Sequence, residues 1–236
     1  MVSLGFVLAC WKHCKYVEQC VNSILTQPYR NKKIVLYGES CQHNIAGVNC
    51  INDGERRGRV ARLNAGVNAL DTDYISFFGV DDYLLPNVLD KVAATIKQTG
   101  KKEWYYGWHK QDRNGVITDF KLTQFDLSLL QQKDYIAGGA VFLRRDIALK
   151  NVFYGIGKKS LGDDWIMWYR TGCHYMPVVM DIPIYVERIG TTTTRAVESP
   201  SYLKSLWSRR QYKFRRWLVH MHLQYLNIKG ILGGEI

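Results

Sequence analysis

The first hundred residues alternate short β-branched or aromatic runs with segments whose apolar positions recur at helical spacing. Few architectures accommodate that order. Val2 to Ala9 reads as a strand, and Tyr16 to Leu25 as a helix with Val17, Val21, Ile24 and Leu25 on one face. Gln27-Pro28-Tyr29 stops the helix. Lys33 to Tyr37 and Val48 to Ile51 are short strands, and Arg59 to Leu70 is again helical, with Ala61, Asn64, Ala65 and Asn68 along it. Tyr74 to Phe78 reads as a strand and Pro86 to Ile96 as a helix. Successive strand–helix–strand units predict an α/β fold, a mostly parallel sheet with helices on both faces.

The pattern changes from Lys101. Trp104 to Trp108 is aromatic and strand-like, and Asp112-Arg113-Asn114-Gly115 is a turn between short strands. Ala140 to Leu143 reads as a strand behind Gly138-Gly139, and Asp164 to Arg170 as a helix. Tyr175 to Val179 and Ile182 to Val186 read as two further strands, and Ser201 to Leu226 as a long helical segment or a pair of helices. The division expected is one catalytic domain over 1–195, split into a 1–100 half and a 101–195 half. A helical appendage follows over 196–236.

Two acidic fragments stand out against this frame. Phe77-Phe78-Gly79-Val80-Asp81-Asp82 is a buried-strand run ended by two carboxylates, followed by Pro86, which suits the first turn of a helix. Open α/β sheets bind ligands at the carboxyl ends of their strands, and carboxylate oxygens suit a hard cation carrying a diphosphate. Leu161-Gly162-Asp163-Asp164-Trp165 sets another acidic pair just ahead of a helix, where a carboxylate can work as a base. Each pair has a structural alternative: Asp81 and Asp82 as caps of the helix near Pro86, Asp163 and Asp164 as favourable charges at a helix N-terminus. Trp165 and Trp168 fit either a sugar-stacking surface or the core.

Charge and cysteine narrow the classes further. Of the formal net charge of +11, +7 falls between Ser199 and Gly230, which holds Lys204, Arg209, Arg210, Lys213, Arg215, Arg216 and Lys229 and no acidic residue. Cys10, Cys14, Cys20, Cys41, Cys50 and Cys173 form no paired clusters of zinc-binding spacing, so reduced thiols are expected. The histidines show no metal-binding spacing, and phosphate-loop, GxGxxG and GxSxG motifs are absent. No apolar run approaches the roughly 18 residues of a spanning helix. Val2 to Ala9 lacks the basic flank of a secretory signal and is read as a strand, so a cytoplasmic protein is expected.

Taken in order, these pieces resemble glycosyltransferase family 2, inverting enzymes of the GT-A fold, over roughly residues 2–195. Ser23-Ile24-Leu25-Thr26-Gln27-Pro28-Tyr29 is similar to the helix end before that family's second strand. Ala61-Arg62-Leu63-Asn64-Ala65-Gly66 is similar to its small-residue helix beside the nucleotide. Asp73 to Asp82 resembles the strand carrying its DxD metal motif, and Gly162-Asp163-Asp164-Trp165 the acidic pair whose second member is the base. The resemblance implies a GT-A fold with a Rossmann-like sheet, a mixed second half and C-terminal helices. It also implies transfer from a nucleotide-diphospho-sugar, UDP-linked by family resemblance, to a glycan or glycolipid hydroxyl in polysaccharide biosynthesis. Asp164, with Asp163, would be catalytic. Ala9, Glu39, Arg59, Arg62, Asp81 and Asp82 would line the donor side, and Asp81 would hold Mn²⁺ or Mg²⁺.

The chain also departs from the family. Gly79 stands where the first DxD aspartate belongs, Tyr37-Gly38-Glu39-Ser40 replaces an aspartate pair near the nucleotide base, and no late histidine appears around Tyr185-Val186-Glu187-Arg188. A nucleotide-sugar-binding protein without turnover is the alternative these departures motivate. The basic, aromatic C-terminus motivates two more readings: a nucleic-acid binder, though no specific nucleic acid is expected, and docking of residues 203–226 on an anionic membrane surface. In that segment Leu203, Leu206, Trp207, Phe214, Trp217, Leu218, Met221 and Tyr225 form one stripe on a helical wheel, with Arg210 intruding. The expected alternative to docking is that this stripe packs on the catalytic domain with the charged face in solvent.

Overall fold

The structure, a computed structural model, describes residues 1–11, 15–39, 44–52, 58–121, 123–153, 162–189 and 217–226. Its first half is the expected alternation: β1 (Leu4–Trp11), α1 (Val17–Leu25), β2 (Lys32–Glu39), β3 (Asn49–Asn52), α2 (Gly58–Ala69) and β4 (Tyr74–Gly79). These four strands pair in parallel in the order β3-β2-β1-β4. β1 is apolar along its length because both its faces are covered. Leu4, Phe6 and Leu8 join α1 in one core, and Val7 joins α2 in the other. Helix α2 sits close on the strand, since a β-carbon on Gly66 would come within 2.3 Å of a Val7 methyl.

The second half comprises β5 (Tyr83–Leu84), α3 (Val88–Gln98), β6 (Trp104–Arg113), β7 (Val116–Phe120), α4 (Leu127–Gln132), a 3₁₀ turn (Gly138–Ala140), β8 (Val141–Arg144), α5 (Arg145–Lys150), α6 (Asp163–His174) and β9 (Val178–Arg188). β8 joins β4 antiparallel, and β6, β9 and β5 extend the sheet beyond it, with β7 hairpinned onto β6. The sheet is thus parallel on one side and mixed on the other.

Three differences from the sequence reading have physical causes. The two strands expected at 175–179 and 182–186 are one, β9, paired in parallel with β6 through register shifts on either side of Trp108. Gly107 makes the irregularity possible, because a β-carbon there would lie 2.6 Å from the Ile182 carbonyl. Helix α3 starts at Val88, not Pro86. Its N-cap Asn87 is left-handed (φ 56°) and gives no side-chain cap. The cap comes instead from Gln27 at the end of α1, whose Oε1 accepts from Val88 N (3.0 Å) and Leu89 N (3.4 Å). Gln27 Nε2 donates to the Ser23 and Leu85 carbonyls, so the buried amide is fully used.

The third difference lies at the C-terminus. Residues 217–226 form a helix that buries Val219, Leu223 and Leu226 in the core containing α6. Trp217, Met221 and Tyr225, three of the stripe expected to pack, are instead 52%, 44% and 52% exposed. The rest of that stripe before Trp217 lies outside the described residues. No described helix is long and apolar enough to cross a membrane.

Candidate active site

β4 delivers the first acidic pair to its carboxyl end, where Asp82 N bonds back to the Gly79 carbonyl (3.2 Å) and closes a turn. A β-carbon on Gly79 would lie 2.8 Å from Asp82 Oδ2 and 3.1 Å from Asp81 Oδ1. The two carboxylates after Gly79 therefore occupy the space that a side chain at this motif position would need. Asp82 is buried and accepts Arg188 N at 2.9 Å, so it anchors the end of β9 and does not cap α3. Burial, then the Asp81 charge, hold its carboxyl well above the usual carboxylate range, against that N–H bond. Asp81 stays partly exposed at the strand end.

Arg188 stands at the end of β9, where the family's late histidine is missing. Its guanidinium donates to the Asp81 carbonyl and, at 2.6 Å, to Gln19 Oε1. The rings of Tyr16 and Tyr83 lie 4.3 and 4.6 Å from its central carbon. A fixed cation is thus built into the backbone of the acidic turn. Sequence reading missed it, since a strand-end arginine on its own carries no signal.

The second acidic pair opens α6. Gly162 caps the helix in the left-handed region (φ 67°), placing Asp163 and Asp164 together in the first turn. Arg59, in the first turn of α2, donates through Nη1 to Asp163 Oδ2. It also donates through Nη1 (2.9 Å) and Nη2 (3.0 Å) to Asp164 Oδ1. The other oxygen, Asp164 Oδ2, lies 3.0 Å from where a Gly138 β-carbon would be, and the Phe77 carbonyl is 3.7 Å from the same point. Asp164 thus faces the end of β4 across a glycine. Burial, then the Asp164 charge, push the Asp163 carboxyl up to about 6, against the pull of Arg59.

The remaining candidates divide. Arg62 is buried and donates to the Cys10 carbonyl (3.3 Å), tying α2 to the end of β1. Ala9 is partly buried on β1, in register with Tyr37 and Gly79. Glu39 ends β2, and its side chain lies outside what is described. Trp165 and Trp168 belong to the core: Trp165 Nε1 donates to the Leu130 carbonyl, and Trp168 stacks on Trp104 at 6.2 Å. Cys10 and Cys20 are buried reduced thiols and Cys50 and Cys173 partly buried ones; Cys14 and Cys41 are outside the described residues. Among the described residues no group of three or more His, Cys, Asp or Glu side chains is placed to hold a metal.

One acidic pair therefore follows the end of β4, the other reaches from α6 to Gly138 beside the Phe77 carbonyl of the same strand, and residues 3–217 match the profile of the family described as Glycosyltransferase like family 2. The chain belongs to this glycosyltransferase family. It is 21% identical over 226 residues to an uncharacterized glycosyltransferase of Rickettsia typhi (strain ATCC VR-144 / Wilmington), covering 87% of this chain and 70% of the relative. Its fold is GT-A. It is similar to S. aureus TarS 1–349 in complex with UDP-GlcNAc (TM-score 0.63, 13% identity, 84% of this chain). It is also similar to the mannosyltransferase PcManGT from Pyrobaculum calidifontis in complex with GDP-Man and Mn²⁺ (TM-score 0.58, 13% identity, 94% of this chain). The chain spans 62% and 64% of the length of those two solved proteins.

Proposed function

We propose that this glycosyltransferase moves a sugar from a nucleotide-diphospho-sugar to a hydroxyl of a glycan or glycolipid in polysaccharide biosynthesis, with inversion at the anomeric carbon. The observation that supports it is that Asp81 follows the end of β4 while Asp164, from α6, lies across Gly138 from the Phe77 carbonyl of the same strand. In this reading Asp164 Oδ2 takes the proton of the acceptor hydroxyl as its oxygen bonds to the anomeric carbon. The bond from that carbon to the diphosphate breaks on the opposite face, so one displacement inverts the configuration. The donor is UDP-linked by family resemblance, and TarS, with UDP-GlcNAc bound, has the same fold. PcManGT, with GDP-Man bound, makes a GDP-sugar the first competitor to test.

The residues present fit Mn²⁺ or Mg²⁺ in one form. Asp82 is buried with Oδ1 accepting from Arg188 N, and the partly exposed Asp81 is the carboxylate that would hold the ion. A hard cation of this kind is commonly bound by one or two carboxylates and the substrate phosphates, which suits a site with no ready-made protein cage. Bound there, it would neutralise the charge developing on the leaving diphosphate.

The second reading, donor binding without turnover, draws on Gly79 and the inward Asp82. A panel of UDP- and GDP-sugars, with and without Mn²⁺, separates the two. Thermal stabilisation with transfer to a glycan acceptor, and NMR showing an inverted product, supports the first; stabilisation without transfer or donor hydrolysis supports the second. We also propose peripheral docking on an anionic membrane through residues 203–226, supported by the exposed Trp217, Met221 and Tyr225 and the basic run ahead of them.

A further inference from the structure

We propose that Arg59 is the positioning residue of the base: from α2 its guanidinium grips both Asp163 and Asp164, keeps the pair charged, and leaves Asp164 Oδ2 directed over Gly138. The proposal rests on the assignment of Asp164 as base and gives Arg59 a different task from the donor contact expected of it.

The two carboxylates are on consecutive residues in one helical turn, with side chains only 13% and 29% exposed. Like charges so close, with little water, tend to take up a proton, and they do so as a pair. A protonated base accepts nothing, so something must hold the pair ionised. The positive end of α6 helps, because both residues lie in its first turn. A guanidinium shared between the two is the stronger device, with a planar fork suited to carboxylates.

Among the described residues, the neighbouring groups are placed for other tasks. Arg62, one turn further along α2, is directed to the Cys10 carbonyl. From the helix at 217–226, Val219 packs against Gly162 and His220 bonds to the Gln131 carbonyl. The 3₁₀ turn contributes the uncharged Gly138. Among the described residues, Arg59 bonds to both members of the pair, and it holds Asp164 by Oδ1. The opposite oxygen is then the one presented to the strand end. Since α2 is seated on β1 through Gly66 and Val7, the grip also registers the base to the strands beneath the donor side.

Arg59 is half-exposed, so its replacement should leave the fold intact. The test is carboxyl NMR of the full chain labelled with ¹³C at aspartate, titrated as wild type, Arg59→Gln and Arg59→Lys, with Asp163→Asn and Asp164→Asn to assign the signals. In Arg59→Gln the upper titration step of the pair should move to higher pH by about one unit, a tenfold gain in proton affinity, with Arg59→Lys restoring most of the difference. In UDP-GlcNAc or GDP-Man turnover the acid limb of kcat should move with it, while KM for the donor changes less than twofold. An unchanged titration in Arg59→Gln overturns the proposal, whatever happens to donor KM. If neither nucleotide sugar is turned over, the catalytic reading is what suffers, and the titration still decides the task of Arg59.

Discussion

A Val219 methyl lies 2.6 Å from where Gly162 would carry its β-carbon, so the C-terminal helix rests directly on the turn that opens α6. Gly162 is also left-handed. Gly162→Ala should therefore cost about 2 kcal/mol or more, from backbone strain and overpacking together. Urea unfolding measures this, and Val219→Ala in the same background should recover the packing share in a double-mutant cycle.

Asp164→Asn keeps the size of the side chain and removes the base. Transfer should fall by roughly 10²-fold or more, with donor affinity nearly unchanged. Near-normal turnover would sink the assignment. In the wild type, the carboxyl of the adjacent Asp163 should take up its proton at about pH 6, read by NMR of ¹³C-labelled aspartate. A flat Asp163 signal between pH 5 and 8 would contradict the burial and neighbouring charge that raise it.

Asp81→Ala and Asp82→Ala should fail in different assays. The first should abolish the difference in donor affinity between Mn²⁺ and chelator, read by calorimetry, with little effect on folding. The second leaves the Arg188 N–H without its acceptor and should cost about 1–3 kcal/mol of stability. Equal donor affinity for wild type and Asp81→Ala under all conditions would remove Asp81 as metal ligand.

Asp82→Asn keeps an acceptor for that N–H and discards a strained charge. Because the folded carboxyl of Asp82 sits above its unfolded value, the native state binds more protons than the unfolded chain in the window between the two. Wild-type stability therefore loses ground as pH rises through that window, and the Asn variant does not. The gain in melting temperature of Asp82→Asn over wild type should be small near pH 4 and larger at pH 8. A gain that shrinks with rising pH would contradict the sign.

Replacing Trp217, Met221 and Tyr225 together by Ser should leave melting nearly unchanged, since Val219, Leu223 and Leu226 do the packing. The same variant should sediment several-fold less with anionic liposomes at low salt. If the unaltered protein ignores such liposomes, the docking proposal is wrong.

The parallel half of the sheet was legible because each element buries a continuous run or one helical face: β1, α1, β2 and β4 lie within two residues of their expected bounds. Helices α4 and α5 have six residues each, too short to show a period, and neither was read. β9 looked like two strands because the charged Asp181 interrupts its apolar run, and the irregular pairing beside Gly107 carries it through. Asp81, Asp82, Asp163 and Asp164 were legible as acidic pairs at element ends. Their partners were not: Arg59 and Arg188 meet them across more than a hundred residues of chain. Nor does the sequence announce which face of residues 217–226 packs, since apolar residues occupy two faces of that helix.

The amide of Gln27 reaches α1, the Leu85 carbonyl and the start of α3 at once, and the stretch it holds in place is the one that follows Asp81 and Asp82. With Arg188 holding the same turn from β9, this loop is tethered from two sides before any donor arrives. Little ordering entropy is then left for the ligand to supply on this side of the site, so affinity there reflects contacts made rather than a loop frozen.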